Sequence, residues 1–445
     1  MSDRTRKKTN CRECLDRDKR HKTENVVAAS DELLSDRDTF RVVTDFMTIG
    51  DLDRLSLSSQ AMRYRVDPFR IPRLQRRVWG IEVLNWPRER RDLVRRMFIK
   101  WWSKLEPGQL PQSLTHLTLG DGFNQSIGRD VLPPSLTHLT LGHGFNRSIG
   151  RYVLPPSLTR LTLGDGFDRF IGQDVLPPSL THLKFGERFN QSLTQGLLSN
   201  LPNLVHLEFG VLFFDQPLGP GVLPPNLMHF KYMRFGSDFE DRPIGQDVLP
   251  PSLVSLQFNQ PLTRDALSNL TSLTHLELEV GDQLVPTLPP HLTYLKLSLW
   301  SNRQLTRGML PPSLTHLELY CKQPFTRGAL SDLTNLTHLE VRGFDHPLMP
   351  GILPPNLTHL RFGNDFGQSL IGVLPPSLTH LDLPYYAVDN THHPLDQNVL
   401  SSLVQLIIDC QVHEIVFCAR RNRFIHYESR ENAIGTWDNP LFQVM

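Results

Sequence analysis

The sequence predicts a repeat solenoid in which every repeat of about 22 residues supplies one short parallel strand. The segment Leu132–Leu141 reads Leu-Pro-Pro-Ser-Leu-Thr-His-Leu-Thr-Leu, and variants of it recur down most of the 445-residue chain. The first four copies start at Leu110, Leu132, Leu154 and Leu176, so the period is 22 residues. A fixed period in this range is typical of units that stack on their neighbours, because one unit has too few apolar groups to fold alone.

Each repeat reads as a strand, a turn and an extended return. Leu117 and Leu119 are two residues apart, which places them on the same face of a short strand and His116 on the other. Gly120–Gly122 then turn the chain. The pair Pro133–Pro134 favours an extended return, since proline is not tolerated inside a helix. We therefore expect a mostly irregular convex side opposite the strands.

The repeat also carries two family signatures. The pattern Leu-x-x-Leu-x-Leu at Leu114–Leu119 is the strand signature of leucine-rich repeats. The segments Phe123–Ile127 and Phe145–Ile149, both Phe-Asn-x-Ser-Ile, resemble the FNIP repeat family, a relative of leucine-rich repeats. The resemblance implies a leucine-rich-repeat-like solenoid, and we expect about fourteen repeats within residues 107–410. Their equivalent strand positions are Leu117, Leu139, Leu161, Leu183, Leu207, Phe230, Leu256, Leu276, Leu295, Leu317, Leu339, Leu360, Leu381 and Leu406.

The N-terminal part has a different pattern. Residues 1–24 are charged and lack apolar periodicity, so we expect a disordered basic arm. From residue 39 the apolar residues recur with helical spacing, first at Phe40, Val43 and Phe46 and then at Leu52 and Leu55. Gly50 separates the two runs. Residues 25–70 are therefore expected to form a small all-helical domain.

The second of these runs, Asp51–Arg63, resembles the F-box motif, because it carries Asp-Leu, Arg-Leu-Ser and an apolar residue followed by Arg in the family's order. The resemblance implies a helical module that docks the Skp-type adaptor of a cullin ubiquitin ligase, with a protein substrate held by the solenoid. The expected docking residues are Phe46, Leu52, Leu55 and Met62. On the helical pattern alone, the alternative is a cap that covers the first repeat. An F-box joined to FNIP repeats also resembles proteins of large DNA viruses of amoebae, which implies a host cytoplasm.

Residues 71–106 form a basic segment interleaved with tryptophans at Trp79, Trp86, Trp101 and Trp102. We expect a helical linker or cap whose apolar residues pack on the first repeat. Basic and aromatic residues together also fit a nucleic acid or an anionic membrane surface, which is the less favoured alternative.

Two columns of side chains follow from the repeat. A histidine column precedes the second strand leucine; it comprises His116, His138, His182, His206, His229, His275, His316, His338, His359 and His380. We expect these rings to stack and form hydrogen bonds within the ladder, while metal binding or pH sensing is the alternative.

A charged column lies two residues further along each strand and varies freely, which suits a partner-binding surface. Its candidate residues are Lys184, Glu208, Lys231, Gln257, Glu277, Lys296, Glu318, Glu340, Arg361 and Asp382. Because its second half is mostly acidic, we expect it to suit a basic segment of a partner.

The chain ends with a different pattern. After Leu406–Ile408 the period stops, and two apolar runs, Ile415–Phe417 and Phe424–Ile425, flank Arg420–Arg423. Residues 411–445 are therefore expected to form a hairpin that caps the last repeat and shields its edge.

Composition limits the function classes. Residues 1–104 carry 25 Lys and Arg against 16 Asp and Glu, although the whole chain has a formal charge of only +1. Five cysteines without a disulfide framework, no long apolar stretch and a polar N-terminus favour a cytoplasmic protein, with a nuclear location as the alternative. The sequence lacks phosphate-loop, nucleophile-elbow and zinc-protease motifs. We therefore expect a monomeric, non-enzymatic protein with no cofactor, metal or membrane association.

Overall fold

The computed structural model describes residues 78–79, 94–99, 104–193, 196–210, 213–233, 243–280, 285–299 and 304–384, together with four strands within 405–435. The chain divides into two compact units, Met1–Phe98 and Ile99–Met445. The predicted basic arm and the F-box-like domain, residues 1–70, lie outside the described residues. Within the described part, no helix is long and apolar enough to cross a membrane.

The helical linker predicted for residues 71–106 is wrong where the structure describes it. Strands β1 (Val78–Trp79) and β2 (Arg96–Ile99) pair in parallel, with Val78 opposite Met97. In β2 the side chains of Met97 and Ile99 are buried, whereas Arg96 is exposed. This alternation has the two-residue period of a strand, and the surrounding arginines and tryptophans obscured it in the sequence.

Fourteen parallel strands form the array in the described part of the second unit, one per repeat. They are β3 (His116–Leu119), β4 (His138–Leu141), β5 (Arg160–Thr162), β6 (His182–Lys184), β7 (His206–Phe209), β8 (His229–Tyr232), β9 (Ser255–Phe258), β10 (His275–Val280), β11 (Tyr294–Leu299), β12 (His316–Cys321), β13 (His338–Arg342), β14 (His359–Phe362), β15 (His380–Pro384) and β16 (Gln405–Cys410). Each pairs with the next in chain order, and all fourteen predicted strand positions lie opposite one another. The predicted parallel solenoid is thus confirmed.

The strand leucines fill the core. Leu117 and Leu119 are fully buried, while His116 and Thr118 on the other face are half-buried. The face that carries the histidine and charged columns is called the open face of the sheet. The described residues between strands are turns and extended segments, as the proline pairs predict.

Hydrogen bonds between repeats use the residues that recur. The Ser135 hydroxyl donates to the Leu114 carbonyl of the preceding repeat at 2.7 Å. The Phe-Asn signature also makes contacts between repeats. The rings of Phe123 and Phe145 stack with centroids 6.2 Å apart. Beside them, the Asn124 side-chain oxygen accepts a hydrogen bond from the backbone N–H of Asn146, one repeat later, at 3.0 Å. These recurring residues therefore hold adjacent repeats together.

Antiparallel strands follow the last parallel strand. Strands β17 (His413–Cys418) and β18 (Arg423–Glu428) pair in antiparallel fashion, and β18 pairs with the short β19 (Ile434–Gly435). Strand β17 also pairs with β16. The hairpin therefore covers the backbone edge that the last parallel strand would otherwise expose.

One backbone position is left-handed in most of the returns that contain a Leu-Pro pair. Two residues before the Leu-Pro pair, φ is positive in eight repeats, and glycine occupies five of these positions. Asp130, Tyr152 and Asp174 occupy the others with φ of 61–64°. The repeat therefore imposes this conformation even where the residue is not glycine, which costs about 1–2 kcal/mol for an L-residue.

Replacing glycine at this position tests the constraint. Gly351→Ala places a Cβ in open space but at φ +77°, so we expect it to lower the free energy of unfolding by about 1 kcal/mol. Gly245→Ala is the matched control, because its Cβ also meets nothing within 4 Å and its φ is not positive. Urea unfolding of the full chain should show a lower midpoint for the first variant alone. Equal midpoints for both variants would contradict the backbone argument.

Candidate functional site

The open face of the sheet presents the histidine and charged columns side by side. Strand register fixes both, since His338 lies opposite His316 and His359, and Glu340 lies opposite Glu318 and Arg361. Within one strand the two columns are two residues apart and therefore share a face.

A threonine hydroxyl holds each of eight histidines. The histidine Nδ1 lies 2.8–2.9 Å from Oγ1 of the preceding threonine at His116, His138, His182, His275, His316, His338, His359 and His380. The threonine hydroxyl has a second partner, since Thr337 Oγ1 donates to the Thr315 carbonyl at 3.1 Å. The same donation recurs at the threonines before six other histidines of this group.

These contacts assign the histidine tautomer. A hydroxyl has a single hydrogen, and Thr337 uses it on the Thr315 carbonyl. Its contact with His338 must therefore be a hydrogen bond donated by the imidazole Nδ1–H. In the neutral ring, a proton on Nδ1 leaves Nε2 unprotonated and able to accept a hydrogen bond.

The rings also stack. Centroids are 4.2 Å apart between His316 and His338, and 4.0 Å apart in the next two pairs, His338–His359 and His359–His380. The planes in these pairs differ by only 7–14°. A second stack, His116–His138, has the same 4.0 Å spacing. The predicted stacking and hydrogen bonding within the ladder are confirmed.

The surroundings of His338 and His359 oppose protonation of these two rings. Burial, and then the neighbouring His359, lower the pKa of His338 to about 4. Burial, and then His380, also lower the pKa of His359. At pH 7 these rings are therefore uncharged. Among the residues that the structure describes, no group of His, Cys, Asp or Glu side chains is arranged to hold a metal ion.

The charged column forms ion pairs between adjacent strands. Lys184 Nζ lies 2.8 Å from Glu208 Oε1, and Lys231 reaches the same oxygen at 3.8 Å. In the second half, Arg361 Nε lies 3.2 Å from Asp382 Oδ2 and 3.8 Å from Glu340 Oε1.

The acidic second half that the sequence predicted is therefore partly compensated within the column. Lys296 lies between two acids, 3.8 Å from Glu277 and 3.9 Å from Glu318. The Gln257 amide also donates to Glu277 at 2.8 Å. Exposed pairs of this kind contribute little stability, so the column remains available for competing interactions.

An open groove of about 350 Å³ lies on strands β11 to β15. Its lining includes His316, His338, His359 and His380, together with Tyr294 and the acidic residues Glu318, Glu340 and Asp382. The groove thus brings together the last four histidines of the one column and the last four residues of the other. Its lining does not include Lys184, Glu208, Lys231, Gln257 or Glu277, which lie on earlier strands, or Lys296 of β11.

Tyr294 is a groove residue that sequence reasoning missed. It occupies the histidine position of its strand, opposite His275 and His316. Its hydroxyl donates to Glu318 Oε1 at 2.7 Å. Burial and this hydrogen bond raise the pKa of the tyrosine. Its departure from the histidine consensus was the signal available in the sequence.

Comparison with known families agrees with this geometry. The FNIP repeat model matches residues 103–144, 145–188, 167–211, 214–260, 282–322 and 344–386, which together make up more than half of the chain. The chain belongs to the FNIP repeat family. The predicted docking residues Phe46, Leu52, Leu55 and Met62 lie outside both these FNIP repeats and the described residues.

A solved structure supports the same repeat fold. The chain is similar to CroV588, described as a novel circular LRR protein structure, with 34% identity and a TM-score of 0.61. The match covers 74% of this chain and 49% of CroV588, so the chain spans about half the length of that protein. An internalin (InlF) from Listeria monocytogenes matches with 15% identity and a TM-score of 0.47, over 68% of this chain and 93% of its own. No curated protein sequence matches the chain significantly.

Proposed function

We propose that the FNIP repeats form a protein-interaction scaffold and that the groove on β11 to β15 is a contact surface. The observation that carries this proposal is the groove itself, in which four stacked imidazoles lie beside a variable charged column. Uniform repeats supply a rigid frame, and the variable column supplies selectivity.

The chemistry of the columns supports a non-enzymatic role. A nucleophilic threonine would need its hydroxyl proton taken by the adjacent imidazole. Here the Thr337 and Thr358 hydroxyls donate to backbone carbonyls, and their histidines donate to them in return. The imidazoles are therefore positioned to orient the threonines rather than to activate them.

A finer proposal concerns the N-terminal region. The F-box resemblance of residues 51–63 supports a substrate-recognition adaptor of a cullin-type ubiquitin ligase. In this proposal Phe46, Leu52, Leu55 and Met62 dock a Skp-type adaptor, and the repeats hold a protein substrate. The protein would act as a cytoplasmic monomer, in a host cell if the protein is viral. A scaffold without a ubiquitin connection is the second candidate, favoured by the repeat fold alone.

A peptide library tests the scaffold proposal without assuming the chemistry of the partner. The full chain would be immobilised and random displayed peptides selected against it, with a Tyr294→Ala, Glu318→Ala variant used for counter-selection. We expect peptides whose binding requires the intact groove, and weaker binding by about tenfold in the variant, since both side chains line the site. Selected peptides that bind wild type and variant equally would contradict the groove as the contact surface.

A pull-down tests the ubiquitin proposal. Full-length wild type, Leu52→Asp and the control Ala61→Asp would be presented to a Skp-type adaptor. On a helix Ala61 projects well away from Leu52 and Leu55, so we expect capture by the wild type and the control and loss of capture with Leu52→Asp. Circular dichroism would verify that all three chains are folded. A folded wild type that captures no adaptor would exclude the ubiquitin proposal and leave the scaffold.

A further inference from the structure

We propose that the groove binds an extended protein segment through arginine or lysine side chains, whose N–H groups donate to the imidazole Nε2 atoms and whose charge is matched by the groove carboxylates. This inference rests on the proposed scaffold function and specifies the chemistry of the partner. It combines three features of the groove, which are its row of acceptors, its charge and the direction of its lone pairs.

The first feature is a row of hydrogen-bond acceptors. Nδ1 of His316, His338, His359 and His380 is committed to the preceding threonine in every case. In the neutral form of these rings the Nε2 atoms are acceptors, repeated from strand to strand. A complementary ligand must supply donors, and arginine and lysine are the side chains that donate several hydrogen bonds and accept none.

The second feature is charge. Three carboxylates line the groove, from Glu318, Glu340 and Asp382, against the single guanidinium of Arg361. Lys296 approaches Glu318 only at 3.9 Å and its side chain is half exposed, so an incoming cation can displace it. Glu340 pairs with Arg342 and Arg361, and Asp382 pairs with Arg361 at 3.2 Å, which leaves Glu318 as the principal partner for a cationic ligand. An anionic segment would meet imidazole lone pairs and three carboxylates, with Arg361 as the one cation of the groove lining.

The third feature is the direction of the lone pairs. The rings of His338 and His359 are 4.0 Å apart and within 12° of parallel. The lone pair of an imidazole nitrogen lies in the plane of its ring, so parallel rings aim their lone pairs side by side rather than at one point. A single metal ion needs converging ligands. The stack therefore suits a series of N–H donors better than a metal.

The N-terminal stack supplies an internal control. His116 and His138 have the same 4.0 Å spacing and the same threonine contacts. Their charged-column positions, however, are Thr118 and Thr140. This stack offers the rings without the carboxylates, so the proposal predicts no tight binding there.

Fluorescence anisotropy tests the inference with a labelled peptide of four Gly-Arg repeats, and with a Gly-Glu peptide as its charge-reversed counterpart. The proteins would be the full-length wild type, His338→Phe/His359→Phe, Glu318→Gln and the control His116→Phe/His138→Phe. Phenylalanine keeps a ring for stacking but removes the nitrogen acceptors. Glutamine keeps an oxygen for the Tyr294 hydroxyl but removes the charge. Circular dichroism would compare the folding of all four proteins.

At pH 7 and physiological ionic strength we expect the Gly-Arg peptide to bind the wild type and the N-terminal control alike, and the Gly-Glu peptide to bind neither. The dissociation constant should rise about tenfold or more in His338→Phe/His359→Phe and in Glu318→Gln, because each loses partners of a charged ligand. If His338→Phe/His359→Phe bound the Gly-Arg peptide as tightly as the wild type, the inference would be overturned, since charge attraction alone would then explain the binding.

Absence of Gly-Arg binding to the folded wild type would also overturn the inference. The scaffold proposal would survive that result if library-selected peptides of other composition still required the groove. It would fail together with the inference only if no selected peptide depended on the groove.

Discussion

The backbone junction between consecutive repeats is the interaction on which the rest of the structure depends. The Thr115 carbonyl accepts the backbone N–H groups of Thr137 and His138, each at 2.9 Å, and the Thr137 hydroxyl at 3.0 Å. The same arrangement recurs down the array, as at Thr315 and Thr337. One acceptor therefore fixes the register of the next strand and the orientation of its threonine. Buried leucines make the stacking favourable, but these hydrogen bonds determine which residues meet.

The histidine column is a consequence of that junction. Once the Thr337 hydroxyl donates to the preceding repeat, its oxygen is left as an acceptor for the His338 Nδ1–H. The ring is then fixed in one tautomer and lies parallel to its neighbours. Repetition along β12 to β15 converts this local hydrogen bond into a row of four stacked imidazoles held in the same way. Function then depends on what the variable column places beside that row, which is threonine in the first repeats and charge in the later ones.

The sequence was sufficient to predict the features that repeat. The period located all fourteen strands, and the apolar runs after Leu406 located the terminal hairpin. Features that occur once were harder to predict. The sequence predicts a helix where the strand Arg96–Ile99 lies, because the alternation of this strand is short and lies among basic and aromatic residues.

The candidate site also combines features that repeat with features that occur once. Its two columns follow from spacing, but the pairing of Arg361 with Asp382 depends on side-chain reach across strands. The groove depends on how Tyr294 replaces a histidine and reaches Glu318. Both contacts involve residues that differ from one repeat to the next, so neither could be predicted from the repeat pattern.

Nitrogen-15 NMR of the histidine rings tests the central claim most directly. In the full chain at pH 7, we expect His338 and His359 to carry the proton on Nδ1 and to leave Nε2 unprotonated, with single histidine variants assigning the signals. His338 should titrate near pH 4 rather than at the usual 6.5. Because its folded pKa lies below its unfolded value, the chain should lose stability as pH falls from about 6.5 to about 4. Neutral rings found with the proton on Nε2 instead of Nδ1 would contradict the account, since the threonine hydroxyls would then not be committed to the preceding repeat.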